Sequence, residues 1–162
     1  MSRTRGVAHA PMPNTRLTPA EIRALSALAE GLDTVSALTK LDIALDTFNR
    51  TLRNIGNKQH RYTRASKVHA AYLSGELLLR AALASPEISD DDRKLWVALA
   101  AQPDLQATAD AVHLSRATTT KRIDDLVARF GAHNAPHLVT LGHAYGLFET
   151  TATTGPAKGM SR

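Results

Sequence analysis

The chain has 162 residues, which is enough for one medium-sized domain or two small ones. Its hydrophobic fraction of 43% can form a core, and the absence of cysteine excludes disulfides, zinc–thiolate sites and thiol nucleophiles. The formal net charge of +5 favours an anionic partner. Strand-like alternation is almost absent, and no segment has the pattern of a membrane span or a signal peptide. We therefore expect an all-α, cytoplasmic protein without a membrane partner.

An internal repeat organises most of the chain. Shifting the sequence by 71 residues aligns residues 17–77 (repeat 1) with residues 88–148 (repeat 2) without a gap. Apolar character is kept at matched positions such as Leu25/Trp96 and Leu52/Ile123. Each repeat is therefore predicted to form a four-helix domain, and Ser85-Pro86 marks the boundary between them. The predicted organisation is a basic arm, two domains and a flexible tail, at residues 1–16, 17–85, 86–148 and 149–162.

The helices of repeat 1 have recognisable start signals. Thr18 is the expected N-cap of the first helix, with Pro19 in the first turn and Glu21 completing a capping box. Ala44 precedes the third helix and cannot cap it through a side chain, so Asp46 is the expected substitute. The second helix is expected over residues 34–41 and the third over 46–57, and the fourth is expected to start near Ala65 and continue past Gly75 to about Ala84.

Repeat 2 has corresponding signals. Ser89 is the expected N-cap of its first helix, and three aspartates, Asp90, Asp91 and Asp92, favour the positive helix end. Ser115 is the expected cap of the third helix. The later helices are expected over residues 105–112 and 116–129 and from about Pro136.

The third helix of repeat 1 is the main candidate for DNA contact. If Phe48, Leu52 and Ile55 face the core, the opposite face carries amide and guanidinium side chains that can read base edges. The predicted base-reading residues are Asn49, Arg50, Arg53 and Asn57. Basic side chains that follow are predicted to neutralise phosphates: Lys58, Arg61, Arg64 and Lys67. Residues 46–67 contain six bases and one acid, which is more one-sided than a solvated helix face requires.

Repeat 2 gives a weaker signal for DNA. Its candidate contact residues are Arg116, Thr120, Lys121 and Arg122. Asp124 and Asp125 lie among them; an aspartate can accept from cytosine, but it also repels phosphates. A degenerate copy that packs against its twin is the alternative for this repeat.

These features resemble one family of DNA-binding domains. The stretches "LTPAEIRALSALAEG" and "DLQATADAVHLSRATTTKRIDDLVARFGAHNAPHLVTLGHAYGLF" are similar to the LuxR/FixJ-type (GerE) helix-turn-helix domain. The resemblance implies a four-helix fold, transcription regulation in bacteria, and base contacts from the positions of Asn49, Arg50 and Arg53. It also implies double-stranded DNA as the partner and pairing of domains through their fourth helices.

The sequence predicts neither catalysis nor metal binding. No catalytic set, cofactor site or metal site is expected, because Pro136 interrupts the spacing of His133 and His137 and no carboxylate completes a ligand set with them. The rival function is a protein-interaction module that binds an RNA polymerase subunit or another regulator.

The two repeats are expected to pack within one chain through residues 77–83 and 141–148; the alternative is two independent domains that form a homodimer with another chain. The arginines of the N-terminal arm are candidates for a minor-groove contact, and the expected location is the nucleoid.

Overall fold

The structure, a computed structural model, describes residues 16–148, so the tail and all of the arm except Arg16 lie outside the described part. Within residues 16–148 the chain forms eight α-helices and no strand, which confirms the all-α prediction. The helices are α1 (Pro19–Ala29), α2 (Thr34–Leu41), α3 (Leu45–Gln59), α4 (Arg64–Leu73), α5 (Asp90–Ala101), α6 (Leu105–Ala111), α7 (Arg116–Arg129) and α8 (Ala135–Ala144).

The structure reproduces the internal repeat in its helix boundaries. The first residues of α1 to α4 and of α5 to α8 differ by 71 positions in each of the four pairs. Three left-handed backbone positions also recur at this offset, at Asp42/His113, His60/Gly131 and Gly75/Gly146. Since such residues fix where the chain turns between helices, the two repeats share their turns as well as their helices.

Capping residues explain where most helices begin. Thr18 and Glu21 form the predicted capping box on α1, and the hydroxyl of Ser115 accepts from the Thr118 N–H at the start of α7. The prediction for α3 was wrong. Ala44 occupies its N-cap without any side-chain hydrogen bond, and Asp46 lies within the first turn. There its carboxylate favours the positive end of the helix, but it does not cap it.

Helix α4 ends eleven residues earlier than the sequence predicted. Ser74 is its C-cap and Gly75 has a positive φ of 83°. The Glu76 N–H donates to the Ala71 carbonyl and the Gly75 N–H to the Tyr72 carbonyl, which is a Schellman ending. Residues 77–89 are therefore not helical, and they connect the two repeats as an extended linker.

One hydrophobic core joins the two repeats. Phe48 and Ile55 of α3 and Trp96 of α5 are fully buried and belong to the same continuous cluster of apolar side chains. The Trp96 indole N–H donates to the Leu138 carbonyl at 2.9 Å, which satisfies the polar atom of this large side chain. The third helix of each repeat thus contributes its apolar face to the core, and this core is continuous between the two repeats.

Contacts between the repeats are reciprocal. Helix α4 packs on α8, and the pairs α4–α5 and α1–α8 correspond to one another at the 71-residue offset. His69 bonds His143 across this interface at 2.9 Å, while Tyr72 bonds Thr140 at 3.3 Å. His69 matches Thr140 and Tyr72 matches His143 at the 71-residue offset. Exchanging the two repeats therefore converts the His69–His143 contact into the Tyr72–Thr140 contact. This is the contact pattern of an approximate twofold axis.

The predicted packing within one chain is therefore confirmed, but the segment that mediates it was only partly identified. Helices α4 and α8 form the interface, whereas most of the linker lies on the surface. Leu77 is buried; Leu78 and Leu83 are exposed. Among residues 16–148 no helix has the length and hydropathy that crossing a membrane requires.

Candidate nucleic-acid interface

Helix α3 presents the two faces that its sequence pattern predicted. Phe48, Leu52 and Ile55 are buried against α1 and α4. The opposite face is exposed and carries all four predicted base-reading residues, Asn49, Arg50, Arg53 and Asn57. Arg50 and Arg53 form no ion pair with any residue in the described part of the chain. Their guanidinium groups are thus available to an external anion.

Lys58 has a structural role that the sequence prediction missed. Its ammonium lies 2.8 Å from the Glu21 carboxylate and 2.9 Å from the Arg16 carbonyl. Glu21 is almost fully buried and also accepts from the Thr18 N–H, so the pair ties α3 to the start of α1. Lys58 is therefore engaged within the protein and is a poor candidate for a phosphate contact.

The same ion pair occurs in repeat 2. Asp92 and Arg129 occupy the positions that match Glu21 and Lys58, and their atoms lie 2.8 Å apart. Asp92 also accepts from Arg122 at 3.0 Å. The sequence contained a signal for this pair, because an acid and a base recur together at the 71-residue offset.

The remaining bases after α3 lie in different environments. Arg64 and Arg61 are partly exposed; the Arg64 guanidinium lies 5.6 Å from the centroid of the Phe48 ring, and Arg61 donates to the carbonyl of His60. Lys67 is buried next to Gly56, and burial, with a smaller contribution from Arg64, lowers its pKa. The structure thus corrects the placement of Lys67, which is not on the surface. Burial costs a lysine its hydration, so this side chain is a poor phosphate ligand.

Helix α7 of repeat 2 exposes a different surface. Arg122 is held by Asp92, and Lys121 lies 3.9 Å from Asp125 on the next turn. Arg116 and Thr120 are exposed, and so is Asp124. The exposed side chains of α7 therefore carry no clear excess of positive charge.

Residues at matched positions of the two repeats differ in charge. The bases Arg53, Arg61, Arg64 and Lys67 of repeat 1 correspond in repeat 2 to Asp124, Ala132, Ala135 and Leu138. Arg50 and Lys58 have exposed basic counterparts, Lys121 and Arg129, and Arg129 is paired with Asp92. The internal symmetry of the backbone is therefore not accompanied by symmetry of charge.

The histidines form two pairs within the protein. His69 and His143 are buried side by side, and burial lowers the pKa of each to about 4, with smaller contributions from Arg61 at His69 and from His69 at His143. The rings of His133 and His137 stack, and the His133 N–H donates to Nδ1 of His137. Burial and the nearby His133 lower the pKa of His137. The contact between His69 and His143 spans 74 residues, so spacing within one helix does not indicate it.

No family model, curated protein or solved structure matches this chain. Its function must therefore be inferred from its own contacts and charges.

Proposed function

We propose that the protein is a double-stranded DNA-binding regulator of transcription, in which α3 of repeat 1 enters the major groove. The observation that carries the proposal is the exposed, unpaired face of α3. Arginine forms bidentate hydrogen bonds with guanine and asparagine with adenine, so Arg50, Arg53, Asn49 and Asn57 are suited to base edges. Helix α2 is followed by α3 after a turn at the left-handed Asp42, and this order of elements supports the proposal of a helix-turn-helix.

The flanks of α3 supply the phosphate contacts in this proposal. Arg61 and Arg64 remain partly exposed at the loop between α3 and α4. We leave Lys58 and Lys67 out of the contact surface, because one is paired with Glu21 and the other is buried. The LuxR-type resemblance is retained as part of the proposal: two domains that pair through their fourth helices, here within one chain.

A salt titration of duplex binding tests the proposal. The two phosphate-contacting arginines, Arg61 and Arg64, predict a log–log slope of affinity against salt of about −2, at roughly −0.9 per neutralised phosphate. The Arg50→Ala/Arg53→Ala double variant should lose sequence preference and keep most of the salt slope. Lys94→Ala, which removes an exposed base from α5, is the matched control and should leave binding unchanged. Binding that is absent at low salt would refute the proposal.

A second candidate function rests on α7. Its exposed Asp124 and Asp125 are unfavourable next to phosphates but suit a basic protein surface, such as one on RNA polymerase or another regulator. The Asp124→Ala/Asp125→Ala variant separates the two functions. It should strengthen DNA binding slightly if α7 approaches DNA, and it should leave DNA binding unchanged while reducing regulation if α7 binds a protein.

A further inference from the structure

The approximate twofold axis relates two faces of the molecule that differ in what covers them. The first face lies between α1 and α8 and encloses a groove of about 720 Å³ under the linker. Leu77, Leu79 and Leu83 line this groove. The Leu83 N–H donates to the Ala144 carbonyl at 2.7 Å, so the linker is attached by its backbone as well as by its leucines.

The second face lies between α5 and α4, at the matching positions. Ser26 and Ala144 of the first face correspond to Val97 and Leu73 of the second, and Glu30 corresponds to Ala101. Leu73 is 67% exposed and Val97 36% exposed, whereas Ala144 is only 7% exposed. No described residue donates to the Leu73 carbonyl, although the matching Ala144 carbonyl accepts from the linker. The second face, which no segment within residues 16–148 covers as the linker covers the first, is thus the more apolar of the two.

The sequence after repeat 2 does not repeat the linker's chemistry. At the offset of 71 residues, Leu78, Leu79 and Leu83 correspond to Glu149, Thr150 and Thr154. Burying leucine removes apolar surface from water, and these polar residues lack that favourable contribution. Leucines that cover the second face, as the linker covers the first, are therefore not supplied by the residues that match the linker at the 71-residue offset.

We propose that the face formed by Leu73 and Val97 binds the linker leucines of a second copy of this chain. The chain itself presents exposed leucines on the linker: Leu78 is 80% exposed and Leu83 is 48% exposed, although both also border the groove of their own chain. The Leu73/Val97 face and the exposed linker leucines are two different patches on one molecule, so the contact between two copies is head-to-tail. Each dimer therefore keeps one free patch of each kind, to which further copies can bind. The patches are small, and the association is correspondingly weak and concentration-dependent.

Sedimentation analysis of the full chain over a wide concentration range tests this inference without DNA. The wild-type protein should form dimers and larger species as concentration rises. Leu73→Asp and Leu78→Asp should each weaken self-association at least tenfold and remain folded by circular dichroism, since both side chains are exposed. An equimolar mixture of the two variants should form a 1:1 dimer and nothing larger, because each variant keeps one intact patch. Val35→Asp, at an exposed apolar residue of α2, is the control and should associate like the wild type.

Three results would overturn the inference. A wild-type chain that stays monomeric at the highest concentration has no second copy on this face. A mixture of the variants that fails to dimerise indicates a symmetric contact instead. Association that appears only after residues 149–162 are deleted assigns the face to the chain's own tail. None of these results depends on whether the protein binds DNA.

Discussion

Repeats 1 and 2 are alike in backbone and differ in surface chemistry. Their helices begin at matching positions, and both join the third helix to the first through an acid–base pair, Glu21–Lys58 in one and Asp92–Arg129 in the other. On the outward face of the third helix, Arg53 in repeat 1 corresponds to Asp124 in repeat 2. The residues that stabilise the fold therefore recur in both repeats, whereas the exposed charged residues do not. A duplicated fold has thus kept its core contacts while its two exposed helices differ.

The strongest test of the shared interface uses acid. In the folded protein the pKa values of His69 and His143 lie near 4, below the usual 6.5, so between these values the unfolded chain binds more protons. Stability should be fully present above pH 6.5 and fall as the pH decreases toward 4, by up to about 3 kcal/mol for each histidine. Denaturant unfolding at a series of pH values measures this loss.

A symmetrising variant provides the control for the acid test. His69→Thr/His143→Tyr replaces the histidine pair by the residues that already meet at Tyr72 and Thr140. Its stability should fall much less than that of the wild type between pH 6.5 and 4, and His137, whose pKa is also lowered, should account for part of the remaining slope. A variant that keeps the wild-type slope would mean that other groups cause the acid sensitivity.

A glycine in repeat 2 compensates for larger core residues. Gly142 matches Ala71, while Trp96 and Phe148 match the smaller Leu25 and Leu77. A Cβ atom at Gly142 would lie 2.6 Å from the Phe148 ring and 2.8 Å from the Trp96 indole nitrogen. Gly142→Ala should therefore destabilise the protein by about 1–3 kcal/mol despite the better helix propensity of alanine. Thermal unfolding measures this, and adding Phe148→Leu should recover part of the loss; a stabilised Gly142→Ala protein would contradict the packing.

The repeated ion pair should contribute unequally in the two repeats. Lys58→Met leaves the buried Glu21 carboxylate without its cation and should cost about 1–3 kcal/mol. Arg129 is 53% exposed and Asp92 keeps Arg122, so Arg129→Met should cost less than about 1 kcal/mol. Urea denaturation of both variants measures the difference. Equal losses would mean that burial does not control the strength of this pair.

Local sequence signals predicted much of the fold. The capping box at Thr18, the serine cap at Ser115 and the apolar spacing of Phe48, Leu52 and Ile55 are short-range patterns, and each was confirmed. The end of α4 was missed because the leucines after Gly75 continue a helical pattern. The Schellman hydrogen bonds at Gly75 end the helix, and Leu77, Leu79 and Leu83 then line a groove between α1 and α8.

The candidate site was less predictable than the fold. Helical periodicity placed Asn49, Arg50, Arg53 and Asn57 on the exposed face of α3 correctly. Helical periodicity did not show that Lys58 is paired with Glu21, 37 residues away in the sequence. It also did not show that Lys67 is buried. Those outcomes depend on how α1, α3 and α4 pack together, and the sequence of one helix does not contain that information.

The most direct test of DNA recognition by repeat 1 compares Arg50→Ala with Lys121→Ala on the preferred duplex. The two residues occupy matched positions on α3 and α7, and each variant removes one exposed positive charge, so the pair compares the two repeats at the same place in the fold. Fluorescence anisotropy should show that Arg50→Ala costs about 1–3 kcal/mol of binding free energy, as expected for loss of a base contact. Lys121→Ala should cost less than about 0.5 kcal/mol, since Lys121 lies beside Asp125 on a surface without excess positive charge. Equal losses from the two variants, or a larger loss from Lys121→Ala, would contradict recognition by repeat 1.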